Sequence, residues 1–175
     1  MPGNDKLIFL ANRIRIVPLI TNYTPMNKDA YPYDHPYTSR YTFTSLGKKK
    51  INKAVDFTHT GIRNIVNLGF GDLLPDGAID DRSNSNNGDI VKVLATTVEI
   101  IIDFTTKFPD TEIFFTGSTP ARTRLYTRIL RTYHSLFSKE FIINGIIEEG
   151  ENYTELRFEP AADLKFYGFL IKRII

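Results

Sequence analysis

Cysteine is absent from the sequence, so no disulfide, thiolate zinc site, iron–sulfur cluster or thiol nucleophile can form. Charge imbalance is small as well: the formal net charge of +2 advertises neither a nucleic-acid nor a membrane partner, and any electrostatic argument must come from local clustering. No long apolar run occurs. Leu7 to Ile20 comes nearest, but Arg13 and Arg15 interrupt it, leaving a segment too short for a signal-peptide core or a membrane span. The expectation is a cytoplasmic protein. The Gly-x-Ser-x-Gly elbow and the Walker loop are both missing, and His35, His59 and His134 lie on three separate segments. Hydrolase and nucleotide triphosphatase chemistry therefore find no support.

What is present fits one hydrophobic core. The chain has 175 residues, 42% hydrophobic and 24% charged, which is short of the length at which cores divide. Residues 1–25 lack caps and clear periodicity, and the core is expected to begin after Met26. The two prolines of Tyr31-Pro32-Tyr33-Asp34-His35-Pro36-Tyr37 exclude a helix there. Residues 1–40 accordingly read as an N-terminal arm with aromatic anchors, and residues 41–175 as a single α+β domain.

Within that domain, Tyr41 to Ser45 alternates, Gly47 makes a turn, and Ile51, Val55 and Phe57 share one parity of an extended segment, which predicts two hairpin strands. Ile62 to Phe70 predicts a third. Asp72 to Asn87 is a long polar loop whose composition favours turns. Asp89 stands where a helix cap is needed, and Ile90, Leu94, Val98, Ile101 and Phe108 recur near helical spacing up to Pro109. The apolar run Ile113-Phe114-Phe115 predicts a central strand. Gly117-Ser118-Thr119-Pro120 then supplies a turn glycine, a hydroxyl cap and a first-turn proline for a second helix, with Leu125, Ile129, Tyr133, Leu136 and Phe137 facing inward. Three strands follow, at Phe141–Glu148, Tyr153–Phe158 and Phe166–Ile174. The order βββ-α-β-α-βββ implies a mostly antiparallel sheet with one parallel crossover pair.

The sharpest local signal is Arg122. A helix N-terminus carries unpaired N–H groups and partial positive charge, so a cation in its first turn is misplaced unless something negative sits nearby. Either a protein carboxylate such as Asp72 or Asp89 pairs with it, or a phosphate-bearing small molecule is held by Gly117, Ser118, Thr119, Arg122 and the Asn87-Gly88 turn. Arg124, Arg128 and Arg131 form a basic stripe on the same helix, which has no acidic residue between Pro120 and Lys139. That stripe is either an ordinary solvated face or a surface for nucleic acid or a protein partner. Asp72, Asp76, Asp80, Asp81 and Asp89 crowd the polar loop, but their spacing fits no EF-hand and turn chemistry accounts for them. No metal site is assigned, and no motif names a cofactor.

Two resemblances follow from these motifs. Asn67-Leu68-Gly69-Phe70-Gly71-Asp72, Asn87-Gly88-Asp89-Ile90-Val91-Lys92 and Gly117-Ser118-Thr119 followed by Arg122-Thr123-Arg124-Leu125-Tyr126 resemble an uncharacterised family of small Bacteroidota proteins, a domain of unknown function. The order of elements is similar to the C-terminal two-thirds of the acyl-CoA N-acyltransferase superfamily. That likeness implies a pyrophosphate-holding turn at Gly88 and a general acid at Tyr126. The sequence departs from the superfamily's turn pattern at Ser85 and Ile90, and Asp89 sets a negative charge where the pyrophosphate would bind.

Overall fold

The computed structural model of the chain describes residues 30–62, 64–83 and 85–174. The segment before Met26, and the arm assigned to residues 1–40 as far as residue 29, lie outside that range. The elements in chain order are β1 (Tyr33–Tyr37), β2 (Arg40–Leu46), β3 (Lys50–His59), β4 (Ile65–Leu73), β5 (Ile79–Asp80), α1 (Ile90–Lys107), β6 (Glu112–Phe115), α2 (Pro120–Phe137), β7 (Phe141–Glu149), β8 (Asn152–Arg157) and β9 (Gly168–Arg173).

Among the described residues these strands form one sheet in the order β1-β2-β3-β4-β6-β9-β7-β8, with β5 added beside β4. Only β4 and β6 are adjacent and parallel. Since β9 pairs antiparallel with both β6 and β7, β6 and β7 also run the same way, and each helix connects strands of one direction. The expected α+β order is therefore present, with β1 and the two-residue β5 added. The third predicted strand begins later than its apolar pattern does. Asn64 adopts φ 61° and a turn closes from Ile65 N–H to the Ile62 carbonyl, which leaves Ile62 62% exposed.

Alternation puts one parity of the sheet under the helices. Tyr41 pairs with Val55 and Val55 with Phe70, while Phe57 pairs with Leu68. Across the parallel step, Val66 meets Ile113, and Ile113 meets Ile171. α1 settles on this face through Phe104, whose ring stacks on Phe57 at 3.8 Å, with Val93, Ile100 and Ile101 buried beside it. Many of its residues are β-branched, which costs helix propensity. Thr96, Thr97, Thr105 and Thr106 nonetheless fit, because each hydroxyl donates to the carbonyl four residues back, which keeps the buried Thr96 and Thr105 satisfied where water is excluded.

The buried stripe of α2 is rotated from the one its large apolar residues predict. Thr123, Thr127, Leu130 and Phe137 are buried, whereas Ile129 and Tyr133 only flank the core. Thr127 donates back to the Thr123 carbonyl, so a residue that reads as polar in the sequence costs little when buried. The backbone leaves helical geometry at Tyr133 (φ −108°, ψ 15°).

Tyr41 shows how polar groups survive beneath the helices. Its ring is fully buried, and its phenol donates to Asp103 at 2.8 Å, which Lys107 also contacts. Burial, and then the Asp103 carboxylate, raise this phenol above the ordinary tyrosine value. A raised folded-state pKa means the contribution is present below that ordinary value, near 10, and is lost as pH climbs above it. Tyr41→Phe is expected to lower stability near neutral pH by about 1–2 kcal/mol. It should also flatten part of the alkaline loss, as measured by urea unfolding near neutral pH and at about pH 11.

Candidate functional site

The parallel strands β4 and β6 end on the same edge of the sheet, and the chain between them supplies the loop that covers it. The start of α2 is built by close approach. A methyl group on Gly117 would lie 2.3 Å from the Thr123 amide nitrogen, so only glycine allows the first helical turn to fold back onto the end of β6. The Gly117 N–H donates to the Thr123 hydroxyl, and Thr119 occupies the cap position, accepting from the Arg122 N–H. Pro120 follows as the first helical residue, where its missing N–H costs nothing.

Loop residues 80–83 lie across this helix start. Ser118 donates to the Asp81 carbonyl at 2.8 Å, and an Nη of Arg122 donates to the Ser83 carbonyl. Neither carboxylate weighed from the sequence takes Arg122. Asp72 pairs with the buried Lys53, and Asp89 accepts from Tyr31 and Ser45. Among the ion pairs formed by described residues, none includes Arg122. Its charge is felt by Asp80. The Ser83 hydroxyl, the Arg82 and Ser83 amides and the charge of Arg122 together pull that carboxyl down to about 2. Tyr126, one helical turn on, is partly buried with its ring edge against Phe115. Burial raises its phenol above the ordinary value, and the Arg122 charge opposes the rise.

The start of α1 is built differently. Asp89 stands at the cap position, yet its side chain bonds none of the helix amides. Burial opposes its charge, but the Ser45 and Tyr31 hydroxyls outweigh that and hold the carboxyl below its ordinary value. Asn87 is 6% exposed and locks the loop to the β2–β3 hairpin. Its Oδ1 accepts from the Lys49 amide, its Nδ2 donates to Ser45 Oγ and to the Lys49 carbonyl, and its own carbonyl accepts from Lys48. The fit demands glycine opposite it: a methyl on Gly47 would lie 2.0 Å from the Asn87 carbonyl oxygen. Gly88 turns the chain into α1 with φ 86°.

The structure thus brings Gly117, Ser118, Thr119, Arg122 and Tyr126 together with loop residues 80–83. Asn87 and Gly88 belong to a separate group around Ser45, Tyr31 and Asp89, and the loop between residues 83 and 87 joins the two. Lys53 lies beside the second group: it pairs with Asp72 and donates to Ser85 at 3.0 Å, and its charge lowers the Asp89 carboxyl. Sequence reasoning passed over Lys53, Ser45, Tyr31 and Ser83. Only the inward parity of Lys53 between Ile51 and Val55 offered a signal. The basic residues of α2 divide as well. Arg124 and Arg128 are exposed, whereas Arg131 turns to donate to the Ala162 carbonyl at 2.7 Å. No group of three or more metal-ligating side chains gathers among the described residues.

A family model described as a family of unknown function (DUF6934) matches residues 27–174. The chain belongs to this family. No curated protein and no solved structure matches it. No helix among the described residues is long and apolar enough to cross a membrane. In this family member, Asn87→Ala is expected to cost about 2–4 kcal/mol, since it leaves buried partners unsatisfied. Hydrogen exchange should then show the Lys49 amide losing protection while Lys48, which donates to the main chain of residue 87, keeps it.

Proposed function

We propose that the chain is a binding domain for an anionic, phosphate-bearing small molecule, taken at the start of α2 by Ser118, Thr119 and Arg122 beneath loop residues 80–83. One observation carries this reading: the Arg122 guanidinium rests on the positive end of its own helix against a neutral carbonyl and takes part in no ion pair among those described. A cation so placed is unfavourable by about 0.3–1 kcal/mol, and a bound anion reverses the sign of that interaction. The guanidinium has five N–H donors in a fixed fork, so it can keep the Ser83 contact while binding phosphate oxygens. The position suits a ligand, since α/β sheets bind at the carboxyl ends of parallel strands.

Inorganic phosphate is the first probe. It is expected to raise the melting temperature of the wild-type chain beyond the effect of chloride at equal ionic strength. Arg122→Ala should weaken the response about tenfold or more, and Arg124→Ala, on the exposed face, should leave it within about twofold. An equal response from Arg122→Ala, or none from wild type at about 50 mM phosphate, would falsify the assignment.

A second reading rests on Tyr126. A phenol is protonated at neutral pH and burial raises this one further, so it is in the state that a general acid needs, and it stands beside Arg122 early in α2, where the acyltransferase likeness puts that acid. Acetyl-CoA at about 1 mM should then shift the melting temperature, and the shift should persist in Tyr126→Phe while any acyl transfer to an amine disappears.

A further inference from the structure

The two ends of the sheet are finished differently. β1 closes one end with Pro36 inside it and with its pairing register slipping between Asp34 and Tyr37, both of which blunt an edge against further pairing. β8 closes the other end with an unbroken register, from Asn152 opposite Glu149 to Arg157 opposite Asn144, and with neither proline nor lysine. Its residues are exposed or half-exposed throughout. Among the described residues β8 pairs only with β7, and the chain beyond it turns away: Phe158 enters the core beside Phe166 and Phe169, and Ala162 meets Arg131 of α2.

Two further features of this edge indicate what it pairs with. Between Ile146 and Leu156 the chain carries Glu148, Glu149, Glu151 and Glu155 and no lysine or arginine. None of these glutamates joins an ion pair described in the structure. Beside them Tyr153 and Tyr167, 57% and 41% exposed, stand with ring centroids 4.9 Å apart, and Phe114 stacks on Tyr167. Aromatic faces next to carboxylates attract cationic side chains, while the same carboxylates repel nucleic acid. A second copy pairing through β8 would bring glutamates of the two strands together, which is destabilising when like charges face each other.

We infer that β8 is a docking edge for a basic, extended segment of a partner protein, which adds a strand antiparallel to Asn152–Arg157 and sets alternate lysine or arginine side chains against Glu151, Glu155 and the Tyr153–Tyr167 pair. Main-chain pairing supplies the affinity and the charges supply the choice of partner. This site is separate from the α2 start, so Arg122→Ala leaves it unchanged.

The probe is an eight-residue peptide alternating lysine and valine, blocked at both ends, together with a control in which prolines replace the two central valines. The wild-type chain should bind the first peptide and slow the exchange of the 152–157 amides. Binding should weaken about tenfold or more with the proline control, which keeps the charge but cannot pair, and equally with Glu151→Lys/Glu155→Lys. Both substituted positions are exposed, so a far-ultraviolet spectrum like that of wild type is expected of the variant. Three results overturn the inference: equal binding of both peptides by wild type, protection that falls outside residues 152–157, or a peptide-free dimer that already protects this strand. If the glutamates only keep the edge soluble, the charge reversal produces aggregation and neither peptide binds the wild-type chain.

Discussion

The carboxylate of Asp89 ties together three parts of the chain that are distant in sequence. Tyr31, just ahead of β1, donates to it from one side, and Ser45, at the end of β2, donates from the other. The helix that Asp89 opens receives no side-chain cap from it. Two hydroxyls aimed at one half-buried carboxylate are worth more than a single exposed cap bond, because charge-assisted hydrogen bonds strengthen as water is withdrawn. The Tyr31 amide also meets the Thr96 hydroxyl about two turns further along α1, and Lys92 lies over its ring. The first helix is thus clamped to the sheet by polar contacts as well as by its apolar face, and the loop from β5 ends where that clamp holds it.

This arrangement makes the two helix starts unequal. At α1 a carboxylate of the chain itself sits at the positive end, held in its charged form, and Asn87 fills the adjoining space. At α2 no acidic residue occupies the first turn; a guanidinium lies there instead, with the Ser83 carbonyl as its partner. The two starts therefore differ in the group beside them, a carboxylate at α1 and a guanidinium at α2, although both share one edge. A pair of converging helix ends would have favoured a ligand spanning both, as in the turn that the acyltransferase likeness implied at Gly88. The observed pairing of Asn87 with the β2–β3 hairpin gives that turn a structural task.

The opposite side of the sheet follows another logic. Helices cover the parity that carries Tyr41, Val55, Ile113 and Ile171, and the other parity carries Thr42, Asp56, Asn67 and Lys172. Near β2 and β3 the uncovered side is polar, and the Arg40–Asp56 pair, with Arg40 also donating to the Gly77 carbonyl, fastens the β4–β5 turn across it. Near β7 and β8 it is aromatic and acidic. The gradient along one sheet, from a fastened and polar end to an open and aromatic end, arises because β9 inserts between β6 and β7 and pushes the β7–β8 hairpin to the margin.

Much of this was legible in the amino-acid order. Both helices announce themselves by punctuation within a few residues: Gly88 and Pro109 bracket the first, and Thr119-Pro120 opens the second. These are local stereochemical demands, met identically wherever the segment sits in the fold. The alternation of β2 and β3 and the parallel step from β4 to β6 were also readable, because period and connection length leave few other solutions. The partners were not readable. That Asp89 would serve two hydroxyls and not a helix, that Arg131 would turn to Ala162 while Arg124 stayed in water, and that threonines would line the buried stripe of α2 depend on groups 31 to 58 residues away or on hydrogen bonds closed inside the helix. Sequence specifies what each backbone segment can do, but the choice among polar partners is made by burial, which exists only once the layers have packed.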